Sequence, residues 1–77
     1  MRSTYSIVLR PEPEGGFTVR VPAFPEIVTF GHDEAEALVM AKEAIELVIE
    51  SRTERGEPIA TPDAPLFREV TVSAVAA

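Results

Sequence analysis

The stretch from Asp33 to Gly56 most restricts what this chain can fold into, because it reads as one long helix marked at both ends. Asp33, with Glu36 three residues later, makes a capping-box pattern. Glu34 and Glu36 suit the positive end of a helix dipole, and Arg52 and Arg55 its negative end. Gly56 suits the left-handed position just past a helix. The helix is therefore expected from about Glu34 to about Arg55. At 100° per residue, Ala37, Ala41, Ala44 and Val48 fall on one narrow stripe. Three of these four are alanines, so the helix can sit close to whatever it covers.

The flanking runs alternate with the period of a strand. Tyr5, Ile7 and Leu9 alternate with Thr4, Ser6 and Arg10. "PEPEGG" (Pro11 to Gly16) breaks that run, and Gly15-Gly16 permits the positive φ of a reversal. Phe17, Val19 and Val21 then face one way, with Thr18 and Arg20 opposite, so the two runs read as a hairpin. Pro22 ends the second strand by denying it a ladder hydrogen bond. Phe24, between Pro22 and Pro25, is held in a stiff corner that lays its ring across the end of the sheet. Ile27 to Phe30 is a third short strand, and Gly31 is the corner into the helix. Either Ile27 and Thr29 or Val28 and Phe30 point inward; Val28 and Phe30 would bury more. After a proline-spaced connector from Gly56 to Pro65, Val70, Val72 and Ala74 alternate with Glu69, Thr71 and Ser73 as a fourth strand.

The expected fold is thus α+β, in the order β-β-β-α-β. The right-handed crossover rule sets the last strand parallel to the one before the helix. The simplest arrangement is a four-stranded mixed sheet, order 3-2-1-4, with the helix on one face. Tyr5, Ile7, Leu9, Phe17, Val19, Val21, Val70, Val72 and Ala74 would face the helix. The 77 residues (1–77) form one domain. A domain of this size buries only about 60–65% of its unfolded surface. There is no cysteine to reinforce it, so a second copy or a partner is a natural source of further stability.

The helix carries more apolar surface than one sheet face uses. Ile45, Leu38 and Ile49 flank one side of the alanine stripe and Met40 and Leu47 the other, while Val39 lies nearly opposite, among Glu43, Glu46 and Glu50. Burying one more large side chain is worth roughly 1.5–3 kcal/mol. An oligomer or partner interface on Val39, Met40 and Leu47, rimmed by Glu43, Glu46 and Glu50, follows from this. The plain alternative is an ordinary core with a few exposed aliphatics.

Net charge is -6, with thirteen acids against seven bases that are scattered along the chain. Nucleic-acid binding through phosphates needs clustered Lys and Arg, so no direct DNA binding is expected. An acidic surface suits a basic protein partner, or simply solubility. No apolar run approaches the roughly 20 residues that span a bilayer, and a cytoplasmic location is the default.

Catalytic residues are not evident. His32 is the only histidine. With no cysteine it has no partner for a metal site, and in a strand-to-helix turn it reads as a solvated loop residue. No two acids are placed to share a metal or divide acid and base roles. Gly15-Gly16 precedes a strand and lacks the glycine pattern of a phosphate loop. No catalytic, cofactor or metal residue is assigned, and no enzyme activity or cofactor is expected.

From Tyr5 to Ser51 the chain resembles the HicB-type antitoxin domain of bacterial toxin-antitoxin systems. The resemblance rests on Gly15, Gly16 and Phe17, then the corner Pro22, Phe24, Pro25, then Gly31, Asp33 and Glu36 opening a helix with Ala37, Ala41, Ala44 and Ile45. It implies a partial RNase H-like β-β-β-α-β unit without nuclease acids. It also implies a partner, a small basic mRNA-cleaving toxin of the HicA type, and a homo-oligomer, dimer or tetramer. Many members carry a C-terminal DNA-binding module, and none is expected here. The chain departs from the family pattern at Glu26-Ile27, where a Gly-Cys pair is usual, and at Asp33, where threonine caps. It departs again at Met40, where asparagine is common. Two further readings stand beside the antitoxin: an orphan homo-oligomer of the same fold, and a weak RNA binder using Thr4, Arg10, Thr18 and Arg20 on an open sheet face that lacks an aromatic for base stacking.

Overall fold

The runs on either side of the Gly15-Gly16 turn pair as an antiparallel hairpin. In the computed structural model, which describes residues 3–62, 66 and 68–74, β1 (Val8–Pro11) and β2 (Phe17–Arg20) lie in the register Leu9↔Val19 and Pro11↔Phe17. The reversal is closed by the Gly15 N–H donating to the Glu12 carbonyl and the Glu12 N–H to the Gly16 carbonyl, both at 3.0 Å. Gly15 and Gly16 have φ of 103° and 79°, values open to glycine and strained for other residues. β3 (Val28–Gly31) pairs antiparallel with β2, with Val19 opposite Thr29 and Phe17 opposite Gly31. Among the described residues the sheet is three-stranded, in the order β1-β2-β3.

The proline corner is two successive β-turns. The Phe24 N–H donates to the Val21 carbonyl and the Ile27 N–H to the Phe24 carbonyl, each at 2.9 Å. Each turn has a proline at its second position (Pro22 and Pro25), where the ring's fixed φ is already correct. The two turns share Phe24, so every third residue turns inward: Val21, Phe24 and Ile27 are all buried. Phe24 has no exposed surface and packs against Tyr5, ring centroids 5.1 Å apart.

The helix α1 (Glu34–Arg55) has the expected ends. The Asp33 carboxylate accepts a hydrogen bond from the Glu36 N–H at 2.8 Å. The Glu36 side chain reaches back one residue beyond the cap, accepting from the His32 N–H at 2.9 Å. At the other end Gly56 adopts φ 67°, ψ 24°, and its N–H and that of Glu57 bond the carbonyls of Thr53 and Arg52. This is the paired-bond termination that glycine makes possible. Asp33→Ala removes the N-cap acceptor and is expected to cost about 1 kcal/mol. In a thermal melt that is a drop of roughly 4–8 °C for a domain of this size.

Ala37 and Ala41 are buried against Val19, with Ile7, Leu9 and Phe17 packed around them. Beside this lies the Val21, Phe24 and Ile27 cluster, covered by Tyr5, Ala44, Ile45, Val48, Ile49 and Ala60. The alanine stripe is thus the docking face of the helix. The helix packs on β3 and β2, away from β1.

One open alternative is decided, and two expectations need correction. The inward residues around β3 are Ile27, Thr29 and Gly31; Val28 and Phe30 point to the open face, since they lie in register with Arg20 and Thr18. The reason is space. A Cβ on Gly31 would lie 2.5 Å from the Ala37 Cα, so this face has no room for large side chains. The first strand begins at Val8 rather than Tyr5, although Tyr5, Ile7 and Leu9 do face the core. The expected fourth strand and the four-stranded order 3-2-1-4 do not appear in the single chain. Residues 68–74 carry no ladder, and Val70 and Val72 are 84% and 80% exposed. Phe67 and residues 75–77 of that run lie outside the described residues. Alternation specifies a pleated segment but not the edge it joins, which is a tertiary matter.

Candidate partner-binding surface

The outer face of α1 follows from its inner one. With Ala37 and Ala41 facing the sheet, helical geometry turns Val39, Glu43, Glu46 and Glu50 to the opposite side. All four are exposed, Val39 to 54%. Leu47 stands beside them at 66%. Met40, expected in the same patch, is half-buried and contributes less to it, because it sits on the shoulder where the helix meets the sheet. The ion pairs of the described residues lie elsewhere, at Arg10–Glu12, His32–Glu36, Arg52–Glu26 and Arg55–Glu57. Glu43, Glu46 and Glu50 therefore present unneutralised charge around an apolar centre.

Leu38 is also exposed, on the opposite flank of the helix. It borders a groove of ≈ 790 Å³ that runs between this flank and the segment leading into β1, lined also by Tyr5, Ile7, Ala41, Ile45 and Ile49. The surplus of apolar helix positions gave the signal for this groove, but only the lateral position of the helix on β3 and β2 opens it.

The open face of the sheet differs from the expectation. Val8, Val28 and Phe30 are exposed there, alongside Arg10 and Arg20. An aromatic is therefore present, although the Phe30 ring is already engaged edge-on with His32, centroids 5.4 Å apart.

His32 is tied into the helix start. Its Nδ1 lies 2.7 Å from a Glu36 carboxylate oxygen. The Glu36 carboxyl is held below its ordinary value, first by the His32 backbone N–H and then by the His32 ring. Among the described residues no three acids or histidines come together to hold a metal ion. Gly15, Gly16, Pro22, Phe24, Pro25, Gly31, Asp33 and Glu36 lie in turns, caps or the core.

Sequence reasoning missed Arg52. Its guanidinium lies over the Phe24 ring, 5.3 Å from the centroid, pairs with Glu26 and donates to the Pro58 carbonyl at 3.4 Å. The Glu26 carboxyl is lowered from its ordinary value, mainly by its own backbone N–H and then by Arg52. The signal was Glu26 standing where the resembling family has glycine.

Comparison with known proteins finds relatives along most of the chain. The family model described as the HicB_like antitoxin of bacterial toxin-antitoxin systems matches residues 4–75. The UPF0150 protein Ta0767 of Thermoplasma acidophilum is 37% identical over 70 residues, covering 91% of this chain and 97% of that protein. Antitoxin HicB 1 of Photorhabdus laumondii is 40% identical over 58 residues, and Antitoxin HicB of Escherichia coli is 38% identical over 58 residues. Each of these matches covers 75% of this chain, but only 37% and 42% of those antitoxins. With a match along nearly its whole length, the chain belongs to the HicB-like antitoxin family of bacterial toxin-antitoxin systems.

Proposed function

We propose that this protein is an antitoxin that sequesters a small basic mRNA-cleaving toxin of the HicA type. The family is described as antitoxin rather than as an enzyme, and the role proposed is binding without catalysis. The observation that carries the reading to a surface is the outer face of α1. There Glu43, Glu46 and Glu50, unpaired among the described residues, surround the exposed Val39 and Leu47. A basic nuclease must present cations to hold RNA. An acidic rim draws that surface in and sets its register, while the apolar centre supplies the desolvated contact. Blocking the toxin's RNA-binding surface is sufficient for neutralisation. The setting is cytoplasmic, where mRNA is; among the described residues no helix is long and apolar enough to cross a membrane.

The reverse face of the sheet supports RNA binding less well. It offers Phe30 with Arg10 and Arg20, two cations in a chain of net charge -6.

The test is co-expression with the small open reading frame beside this gene. The expected result is a co-purifying complex in which RNA cleavage is suppressed. Glu43→Lys/Glu46→Lys/Glu50→Lys should weaken it about 100-fold or more, since juxtaposed like charges cost several kcal/mol and each 1.4 kcal/mol is tenfold. A neighbour that is not a small basic protein, or one that fails to co-purify, would remove the reading. Unchanged affinity in the triple variant would move the interface off this face.

A further inference from the structure

The two edges of the sheet are guarded differently. Among the described residues β1 and β3 are both edge strands, and an edge offers unpaired N–H and C=O groups to any passing strand. Proteins blunt such edges with charge, proline or a bulge. β1 carries both Arg10 and Pro11. β3 carries neither. It reads Val28, Thr29, Phe30, Gly31, the first three of them strong strand formers, and its pairing with β2 runs without a bulge.

The alternation of the ladder says which backbone groups are left over. The Glu12 N–H bonds the Gly16 carbonyl, so the bonded pairs of the hairpin continue as Arg10 with Thr18 and Val8 with Arg20. Phe17 and Val19 therefore turn their backbone groups toward β3, where they face Gly31 and Thr29. The N–H and C=O groups of Val28 and Phe30 then point out of the sheet, offering up to four hydrogen bonds. No turn or cap among the described residues engages them.

Both sides of this edge are apolar. Val28 and Phe30 are exposed on the open face of the sheet. On the other side stands the helix flank of Met40 and Leu47, opposite the Leu38 flank that faces β1. Leu47 is exposed and Met40 half-buried. Glu43 and Glu50 lie just outside them on the same side of α1, exposed and unpaired among the described residues.

We propose that the toxin adds a strand to β3, an extended segment whose backbone bonds Val28 and Phe30 and whose cations meet Glu43 and Glu50. This rests on the antitoxin reading above and narrows it from a face to a mode of attachment. A cationic strand is the occupant because the edge accepts only extended backbone, while the acids beside it call for positive charge. Its alternate side chains divide between the two sides. Those toward α1 pack on Leu47 and reach the acids, and those on the open face extend the apolar row of Val28 and Phe30.

Amide hydrogen exchange on the full chain tests it, alone and mixed with the small basic protein encoded beside this gene. In the protein alone the Val28 and Phe30 amides should exchange freely, and in the complex at least 100-fold more slowly. The Thr29 amide, turned toward β2, should be protected in both. A complex that forms while the Val28 and Phe30 amides still exchange freely would overturn the proposal and leave the antitoxin reading standing. Absence of any complex would overturn both. Slow exchange of the two amides in the protein alone would overturn the proposal by giving the edge to a second copy. Val28→Pro supplies the second measurement. It removes an outward N–H and no ladder bond, which an edge strand tolerates. The helical circular dichroism should persist while affinity for the toxin falls at least tenfold. Undiminished affinity would overturn the proposal.

Discussion

Phe24→Ala is expected to destabilise the protein by about 3–5 kcal/mol. A domain of this length has in total only about 4–12 kcal/mol to lose, so the variant should be partly or wholly unfolded at 37 °C. The size of the effect follows from position. Phe24 is fully buried at the point where the two proline turns, the Tyr5 ring and the Arg52 guanidinium converge. Its removal leaves a void lined by atoms that cannot all collapse into it. Both neighbouring prolines hold the corner backbone fixed, and Val21 and Ile27 are locked by the same turns. A urea titration at fixed protein concentration reads the change as a shift of the midpoint. A loss under about 1.5 kcal/mol would mean that the corner is softer than its packing indicates.

Gly31→Ala should cost about 3 kcal/mol or more, at the upper end of what overpacking costs. Nothing about the backbone requires glycine here, because Gly31 does not adopt positive φ. By entropy alone the substitution would stabilise the fold by about 0.4–1 kcal/mol. Crowding opposes this and is the larger effect. The added methyl would lie 2.5 Å from the Ala37 Cα and 2.8 Å from its Cβ. All three atoms it meets belong to Ala37 in the first turn of α1, two of them main chain, and the Ala37 N–H bonds the Asp33 carbonyl at 2.9 Å. The turn cannot retreat without giving up its cap. Ala37→Gly should therefore fail to rescue the variant, since it removes a side chain when the obstruction is main chain. Rescue in a thermal melt of the double variant would show that only side chains were in conflict.

These two positions also show why some of the molecule was legible in the sequence and some was not. Asp33, Glu36 and Gly56 act through bonds to their own neighbours, so local sequence was enough to place both ends of α1. Pro22 and Pro25 likewise impose local geometry, and the inward position of Phe24 follows from it. β3 was harder, because Ile27, Val28 and Phe30 offer apolar residues to both faces. Volume favoured Val28 and Phe30; the close approach of α1 at Gly31 decided for Ile27 and Thr29. That approach depends on residues distant in the chain, and no period reveals it. The outer face of α1 was readable at Val39, Leu47, Glu43, Glu46 and Glu50, since one buried stripe fixes its opposite. Met40 lay on the boundary, where a small lateral shift of the helix decides coverage. The groove beside Leu38 depends on that same shift, and the alternation at Val70 and Val72 specifies a pleat without specifying an edge to join.

Arg52 has a consequence for the connector. A single guanidinium at the last turn of α1 touches the corner through Phe24 and Glu26 and reaches the Pro58 carbonyl, and two residues on, the Ala60 carbonyl accepts from the Tyr5 hydroxyl at 2.9 Å. The chain beyond the helix is thus moored twice before it departs, at points set by the core and not by the connector's own stiffness. The moorings at Pro58 and Ala60 thus set the direction in which the connector leaves the core, and fraying of the final helical turn would release the Pro58 one and leave the Tyr5 hydroxyl to hold the connector alone at that point.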